Sequence, residues 1–247
     1  MKIALLADVH ANLEALSACL AHAEAAGAEH WVFLGDLVGY GADPQAVLDI
    51  VMAYVDTGAV AILGNHDEAV FRDIRYEPST AARSSAEWTR SRLAPVYREF
   101  LADLPMTVQE DDRLYVHASA ADPEQWSYIG LPMQASRSMQ AAGLPYVFSG
   151  HVHEPTLFFF GADGRPQAFA PAPGAVVPVS ARRQWLAIVG SCGQARDGQP
   201  LATYAMMDTE LEELTFQRLP YDHFTAARKV RQAGLPEELA LRLETGA

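Results

Sequence analysis

Seven side chains that can donate to a divalent cation recur in five short clusters of this 247-residue sequence. The clusters read Asp8-Val9-His10, Gly35-Asp36, Gly64-Asn65-His66-Asp67, His117 and Gly150-His151-Val152-His153. Asp8 and Asp36 supply carboxylates, Asn65 an amide, and His10, His117, His151 and His153 imidazoles, with no thiolate among them. If one carboxylate bridges, these donors fill two four-ligand shells and leave positions for water and substrate. Such a nitrogen and oxygen set suits two divalent transition-metal ions (Mn, Fe, Zn, Co or Ni) better than the all-oxygen shells of Ca or Mg. Paired cations lower the pKa of coordinated water toward neutrality, so the chemistry to expect is hydrolysis at a phosphoester without a protein nucleophile.

The elements that must position these clusters are legible around them. Residues 3–7, 31–34, 60–63, 114–116 and 146–148 are short apolar runs rich in β-branched or aromatic side chains, which predicts buried strands. Each run leads into a donor cluster, placing the donors at strand carboxyl ends, the edge where open α/β sheets hold their ligands. Gly35, Gly64 and Gly150 precede donors, where a missing Cβ permits a sharp turn or a close approach. Residues 12–26 carry Leu13, Leu16, Leu20 and Ala23 on one stripe, with Asn12 as cap and Gly27 beyond; residues 44–55 repeat the pattern with Val47, Leu48, Val51 and Val55. Both predict helices packed on a sheet, and residues 79–104 predict a helical pair broken near Pro95. From Thr156 onward, residues 157–160, 167–170, 185–189, 203–207 and 213–218 predict strands between Gly and Pro turns, expected to form another sheet packed on the first.

The five blocks, in this order, resemble the D-x-H, G-D, G-N-H-D/E, H and G-H-x-H pattern of the calcineurin-like metallophosphoesterase superfamily. The resemblance implies that Asp8, His10, Asp36 and His153 hold one metal and that Asp36, Asn65, His117 and His151 hold the other, with Asp36 bridging. It leaves His66 as the catalytic group for proton transfer to the leaving oxygen. It also implies a four-layer α/β/β/α sandwich, two mixed sheets flanked by helices. Residues 190–198, Gly-Ser-Cys-Gly-Gln-Ala-Arg-Asp-Gly, are similar to the G-S-x-G-x-x-R-D-G segment of the small bacterial phosphodiesterase and diadenosine-tetraphosphatase-like branch and nominate Arg196 for phosphate. One departure stands out. The protein phosphatases of this superfamily carry G-D-x-x-D-R-G, whose second Asp orients the histidine and whose Arg grips phosphate, whereas this chain has Gly39 and Tyr40 at those places. That argues for a small-molecule phosphoester, a phosphodiester or nucleotide, over a phosphoprotein; a dinucleoside polyphosphate hydrolase or a protein phosphatase is the alternative within enzymes. A non-catalytic protein-interaction module on the same fold, as in the retromer subunit, is the alternative of another class, set back by the completeness of the donor set.

Composition sets further bounds. A single domain over residues 1–247, with half its residues apolar, can bury a large core. The net charge of −13 excludes a broad nucleic-acid surface, so a polyanionic substrate must be attracted locally. Cys19 and Cys192 form no disulfide framework or zinc pattern and read as reduced thiols of a cytoplasmic protein. No run suits a signal peptide or a membrane span. His22, His30 and His223 read as solvated or locally bonded. Residues 119–130 follow a donor strand and hold Trp126 and Tyr128; with Tyr40 they could form an aromatic wall for a base, although core packing is the favoured reading of Trp126. The tail from 222 to 247 reads as helices interrupted at Gly234-Leu235-Pro236, a packing or dimerising appendage; nothing in the pattern specifies an oligomeric state.

Overall fold

A computed structural model describes residues 1–73 and 79–247. In chain order the described residues form β1 (Lys2–Leu6), α1 (Leu13–Ala25), β2 (His30–Phe33), α2 (Pro44–Asp56), β3 (Val60–Ala61), α3 (Asn65–Phe71), α4 (Thr80–Arg92), α5 (Pro95–Asp103), β4 (Thr107–Glu110), β5 (Arg113–Val116) and α6 (Pro132–Ala142). There follow β6 (Tyr146–Ser149), β7 (Thr156–Phe160), β8 (Pro166–Phe169), β9 (Val176–Pro178), β10 (Trp185–Ile188), β11 (Ala202–Asp208), β12 (Glu213–Leu219), α7 (His223–Gln232) and α8 (Glu237–Thr245).

Two six-stranded sheets result, ordered β3-β2-β1-β11-β12-β9 and β4-β5-β6-β10-β7-β8. Strand β1 shows how the layers arise, because successive side chains of a strand point to opposite faces. Ile3, Leu5 and Ala7 pack with Tyr115, Phe148, Leu157 and Trp185, forming the core between the sheets. Ala4 and Leu6 face the other way, onto Leu16, Leu20, Val47, Leu48 and Val51 of α1 and α2. On the far side of the second sheet, α6 lays Ala135 and Met139 on Val116, Val147 and Ile188. The order is helix, sheet, sheet, helix.

Local signals account for the helices. Asn12 caps α1 by accepting from the Ala15 backbone N–H at 3.2 Å, and Pro44 and Pro95 open α2 and α5, where the missing N–H costs nothing. The segment expected to build a separate second sheet is divided instead. β7, β8 and β10 join β5 and β6, while β11 pairs antiparallel with β1 and brings β12 with it. The period of a strand reports which faces are buried, not which edge accepts it, so periodicity could not assign these strands. The crossing occurs after β10, where Cys192 and Gly193 donate backbone hydrogen bonds to Ala7 and Asp8 at 2.8 and 2.9 Å.

Candidate metal centre

Every predicted donor lies just past a strand end or at the start of α3, and the structure brings all seven to one buried rim. Asp8 and His10 follow β1, Asp36 follows β2, Asn65 and His66 open α3, His117 follows β5, and His151 and His153 follow β6. None of these side chains belongs to a residue more than 6% exposed. His153 Nε2 lies 3.3 Å from Asp8 Oδ1 and 3.2 Å from His10 Nε2. Asp36 Oδ2 lies 3.8 Å from His10 Nε2 on one side and 3.3 Å from His117 Nε2 on the other. His117 Nε2 is 3.2 Å from Asn65 Oδ1.

Two groups in this rim could each hold a metal ion: Asp8, His10 and His153, and Asp36, His117 and His151. The residues fit that use on three observations. The Nδ1 atoms of His10, His117 and His153 sit 3.2, 2.7 and 2.6 Å from the backbone oxygens of Val38, Leu34 and Gln194. Each therefore donates from Nδ1 and leaves Nε2 as the bare donor, the arrangement that orients metal-binding imidazoles. His151 Nε2 is buried with no hydrogen-bond partner. Two carboxylates without a thiolate complete a set suited to borderline divalent cations.

The electrostatics of the rim favour a positive charge. Burial pushes the Asp8 carboxyl up, but His153 outweighs it and holds it at about 2. Asp36 is likewise held well below the usual carboxylate range by His117 and His66 against the effect of burial. Burial drives His10 and His151 down, His151 to about 3. His117 alone is raised, to about 9, because the neighbouring Asp36 carboxylate overcomes burial; a cation at that position would take the place of its proton.

The loops are packed backbone against backbone. A Cβ at Gly64 would lie 2.2 Å from the Asp36 nitrogen and 2.3 Å from Asp36 Oδ1. Gly39 adopts φ +86°, and a Cβ there would meet His66 Nδ1 at 2.8 Å. The position that carries an orienting Asp in the protein phosphatases therefore faces the imidazole, and here it is empty of side chain. His66 Nδ1 is buried without a hydrogen-bond partner among the described residues, and the ring is held by packing, 4.4 Å from Tyr40 and edge-on to His10 at 5.0 Å. Asp67 does not substitute. Its carboxylate accepts from the Val38 and Gly64 backbone N–H groups at 3.0 and 3.1 Å, bracing the donor loops instead.

Beside the donors opens a cavity of about 510 Å³, lined by Tyr40, Asn65, His66, Trp126, His151 and Arg196 together with Tyr128 and Arg242. Trp126 is mainly a packing residue: it is 7% exposed, clusters with Leu63 and Ala118, and donates from Nε1 to Glu68 Oε2 at 3.1 Å. The exposed aromatic is Tyr128, 55% exposed and stacked on His151 at 4.0 Å and 22°. The favoured reading of Trp126 as a core residue thus holds, while nothing in the 119–130 loop marked Tyr128 as the exposed ring. Arg242 had no local signal, since it reaches the cavity from a helix remote in sequence. Of the histidines given no role, His223 bonds locally, to the Tyr221 carbonyl at 3.3 Å, whereas His22 and His30 pair with residues distant in sequence, Tyr204 at 2.7 Å and Glu110 at 3.2 Å. Contact with Cys19, and then burial, push the Cys192 thiol well up, and the side chain is buried in the core.

The chain belongs to the calcineurin-like phosphoesterase superfamily, whose domain model matches residues 1–212. Its architecture, two mixed sheets between helices, is that of the family. A metallophosphoesterase from Sphaerobacter thermophilus is 32% identical, with each chain covered in full and a TM-score of 0.89. The chain is also 30% identical to an uncharacterized protein of Methanocaldococcus jannaschii, MJ0912, over 99% of this sequence and 98% of the relative. The hypothetical protein PH1004 of Pyrococcus horikoshii shares the fold at 22% identity and a TM-score of 0.79, covering 100% of this chain and 98% of its own. Among the described residues no helix is long and apolar enough to cross a membrane.

Proposed function

We propose that the protein hydrolyses a small-molecule phosphoester, a phosphodiester or nucleotide, with two divalent transition-metal ions held by the converging donors. Asp8, His10 and His153 would hold one ion and Asn65, His117 and His151 the other, with Asp36 shared between the two groups. The observation that carries this reading is the position of Asp36 Oδ2, between His10 Nε2 and His117 Nε2 at 3.8 and 3.3 Å. When bound, the ions supply a water activated at neutral pH and stabilise the charge that develops on the phosphoryl oxygens. The chain's own groups do the rest. The carbonyls of Leu34, Val38 and Gln194 fix the imidazole tautomers. His66, on the cavity wall, transfers a proton to the leaving oxygen. Arg196 receives a phosphoryl oxygen, and Tyr128 offers a flat face to a base.

The test is metal content of the purified protein, followed by turnover of phosphomonoesters, phosphodiesters and dinucleoside polyphosphates with Mn, Fe, Zn, Co and Ni. Metal-dependent turnover lost in Asp36→Ala supports the reading. A fully loaded protein inert toward every class would instead favour a binding module on this fold.

A further inference from the structure

The hairpin of α7 and α8 does more than pack. Leu239, Ala240 and Leu243 of α8 are buried against Tyr40, Ala81 and Ala82. This seats Arg242 in the wall of the cavity that also holds Arg196, His66 and Asn65. Two basic side chains of α7 are neutralised by carboxylates. Lys229 pairs with Glu14 and Asp43 at 2.5 and 2.8 Å, and Arg231 is bridged by Glu237 and Glu244 at 2.7 and 2.6 Å. Asp197, next to Arg196 in sequence, is taken by Arg218. Arg196 and Arg242 themselves have no ion-pair partner among the described residues. Their segments are tied together, for the Gly198 N–H donates to the Gly246 carbonyl at 2.7 Å and a Cβ at Gly246 would fall 2.3 Å from Gln199. The two charges are thus held in one cavity.

Two guanidiniums that line one cavity with no ion-pair partner among the described residues repel each other, and an anion held by both would relieve that repulsion. A guanidinium fork matches phosphate oxygens in pairs. We infer that Arg196 and Arg242 form a second anion site for a phosphoryl group of the substrate other than the one cleaved. The substrate is then a phosphoester bearing at least two phosphoryl groups. This rests on the hydrolase reading above and extends it to Arg242, which sets specificity from the C-terminal helix. A volume of about 510 Å³ falls in the range of pockets that enclose ligands of nucleotide size.

Calorimetric binding to the metal-loaded, desalted protein tests the inference without needing turnover. The probes are AMP, with one phosphoryl group, and the α,β-methylene analogue of ADP, with two. In the wild type the second group tightens binding tenfold or more. Arg242→Gln and Arg196→Gln each bring the ratio of the two dissociation constants close to one, and Arg242→Lys keeps part of the gain, with thermal melts confirming that each variant folds. A wild-type ratio near one, or a ratio that both Gln variants leave in place, overturns the second anion site. If the ratio behaves as stated while no phosphoester is turned over with any metal, the hydrolase reading falls and the anion site stands.

Discussion

Asp36 is the position at which a single substitution should empty both metal groups. Its Oδ2 faces His10 and His117, whereas the Asn65 oxygen faces only His117. An ion present at one hundred times its dissociation constant stabilises the folded state by about 2.7 kcal/mol, so two ions contribute about 5 kcal/mol. For a chain of this length each kcal/mol moves Tm by about 2–4 °C, giving a metal-dependent shift of about 10–20 °C in the wild type. If losing a direct donor weakens a group about a hundredfold, its contribution drops to about 0.4 kcal/mol. Asn65→Ala should then keep more than half of the shift, and Asp36→Ala less than a quarter. The substitution has a second effect, because Asp36 Oδ1 also accepts from the His66 backbone N–H at 2.8 Å. Losing that charge-assisted bond costs about 1.5–3 kcal/mol with or without metal. The quantity to read is therefore the difference between Tm with metal and Tm with chelator, alongside metal per chain. Full occupancy and equal metal-dependent shifts in the two variants would refute the bridge.

Three further outcomes are expected. His66→Asn should slow an alkyl or ribosyl ester far more than a nitrophenyl ester at unchanged metal content, by about 10² and not the upper 10⁴ of general acid catalysis, because His66 Nδ1 has no orienting partner; equal losses on both leaving groups would make His66 a phosphate-binding or structural residue. Trp126→Ala should cost about 3–5 kcal/mol of stability and depress all substrates alike, while Tyr128→Ala should raise KM for base-bearing substrates by about 5–150-fold, from about 1–3 kcal/mol of stacking, with Tm unmoved; the reverse pattern would exchange the two assignments. Gly64→Ala should release metal although no donor is lost, since its φ of −107° suits alanine and the whole effect comes from the 2.2 Å approach to Asp36, whereas Gly58→Ala, at φ +103° with open space around it, should lower Tm and keep the metal; metal retained in Gly64→Ala would show that the loops can separate.

Much of this site was legible because donor type is a property of single residues and strand ends are announced by apolar runs. Asp8, His10, Asp36, Asn65, His117, His151 and His153 could be picked out before any geometry, and so could helices α1 and α2. What escaped depends on contacts between segments distant in sequence. Helix α3 was not expected because its first turn is the donor cluster Asn65-His66-Asp67, whose residue types favour caps and turns. Helix α6, with Ser136, Ser138 and two glutamines, shows little apolar stripe beyond Ala135 and Met139. The carbonyls of Leu34, Val38 and Gln194 orient three imidazoles, yet every residue has a carbonyl, so none is marked in the sequence. The packing of Trp126, the favoured reading of that ring, is what the structure shows, whereas the exposure of Tyr128 carried no signal of its own.

Backbone conformation is the remaining invisible quantity, and it bears on why these residue types persist at the rim. Asp8, His10, Asp36, His151 and His153 have φ of +52°, +50°, +53°, +68° and +71°. Left-handed backbone costs an L-residue up to roughly 1–2 kcal/mol, less for Asp and His than for bulkier types. Five such residues amount to several kcal/mol, a sizeable part of the roughly 5–15 kcal/mol that holds a domain together. Glycine would relieve that strain at each position and remove a donor with it. The strain is sustained by hydrogen bonds between the loops, Asp8 N–H to Gly35 at 3.1 Å, His10 N–H to Asp36 at 2.9 Å and His151 N–H to the Asp8 carboxylate at 2.9 Å, and by the two cores on either face of β1. Strain concentrated on the donors and balanced by the surrounding fold is expected where geometry is set by chemistry and not by stability. It is also why the donors reach one rim from four strand ends and the first turn of α3.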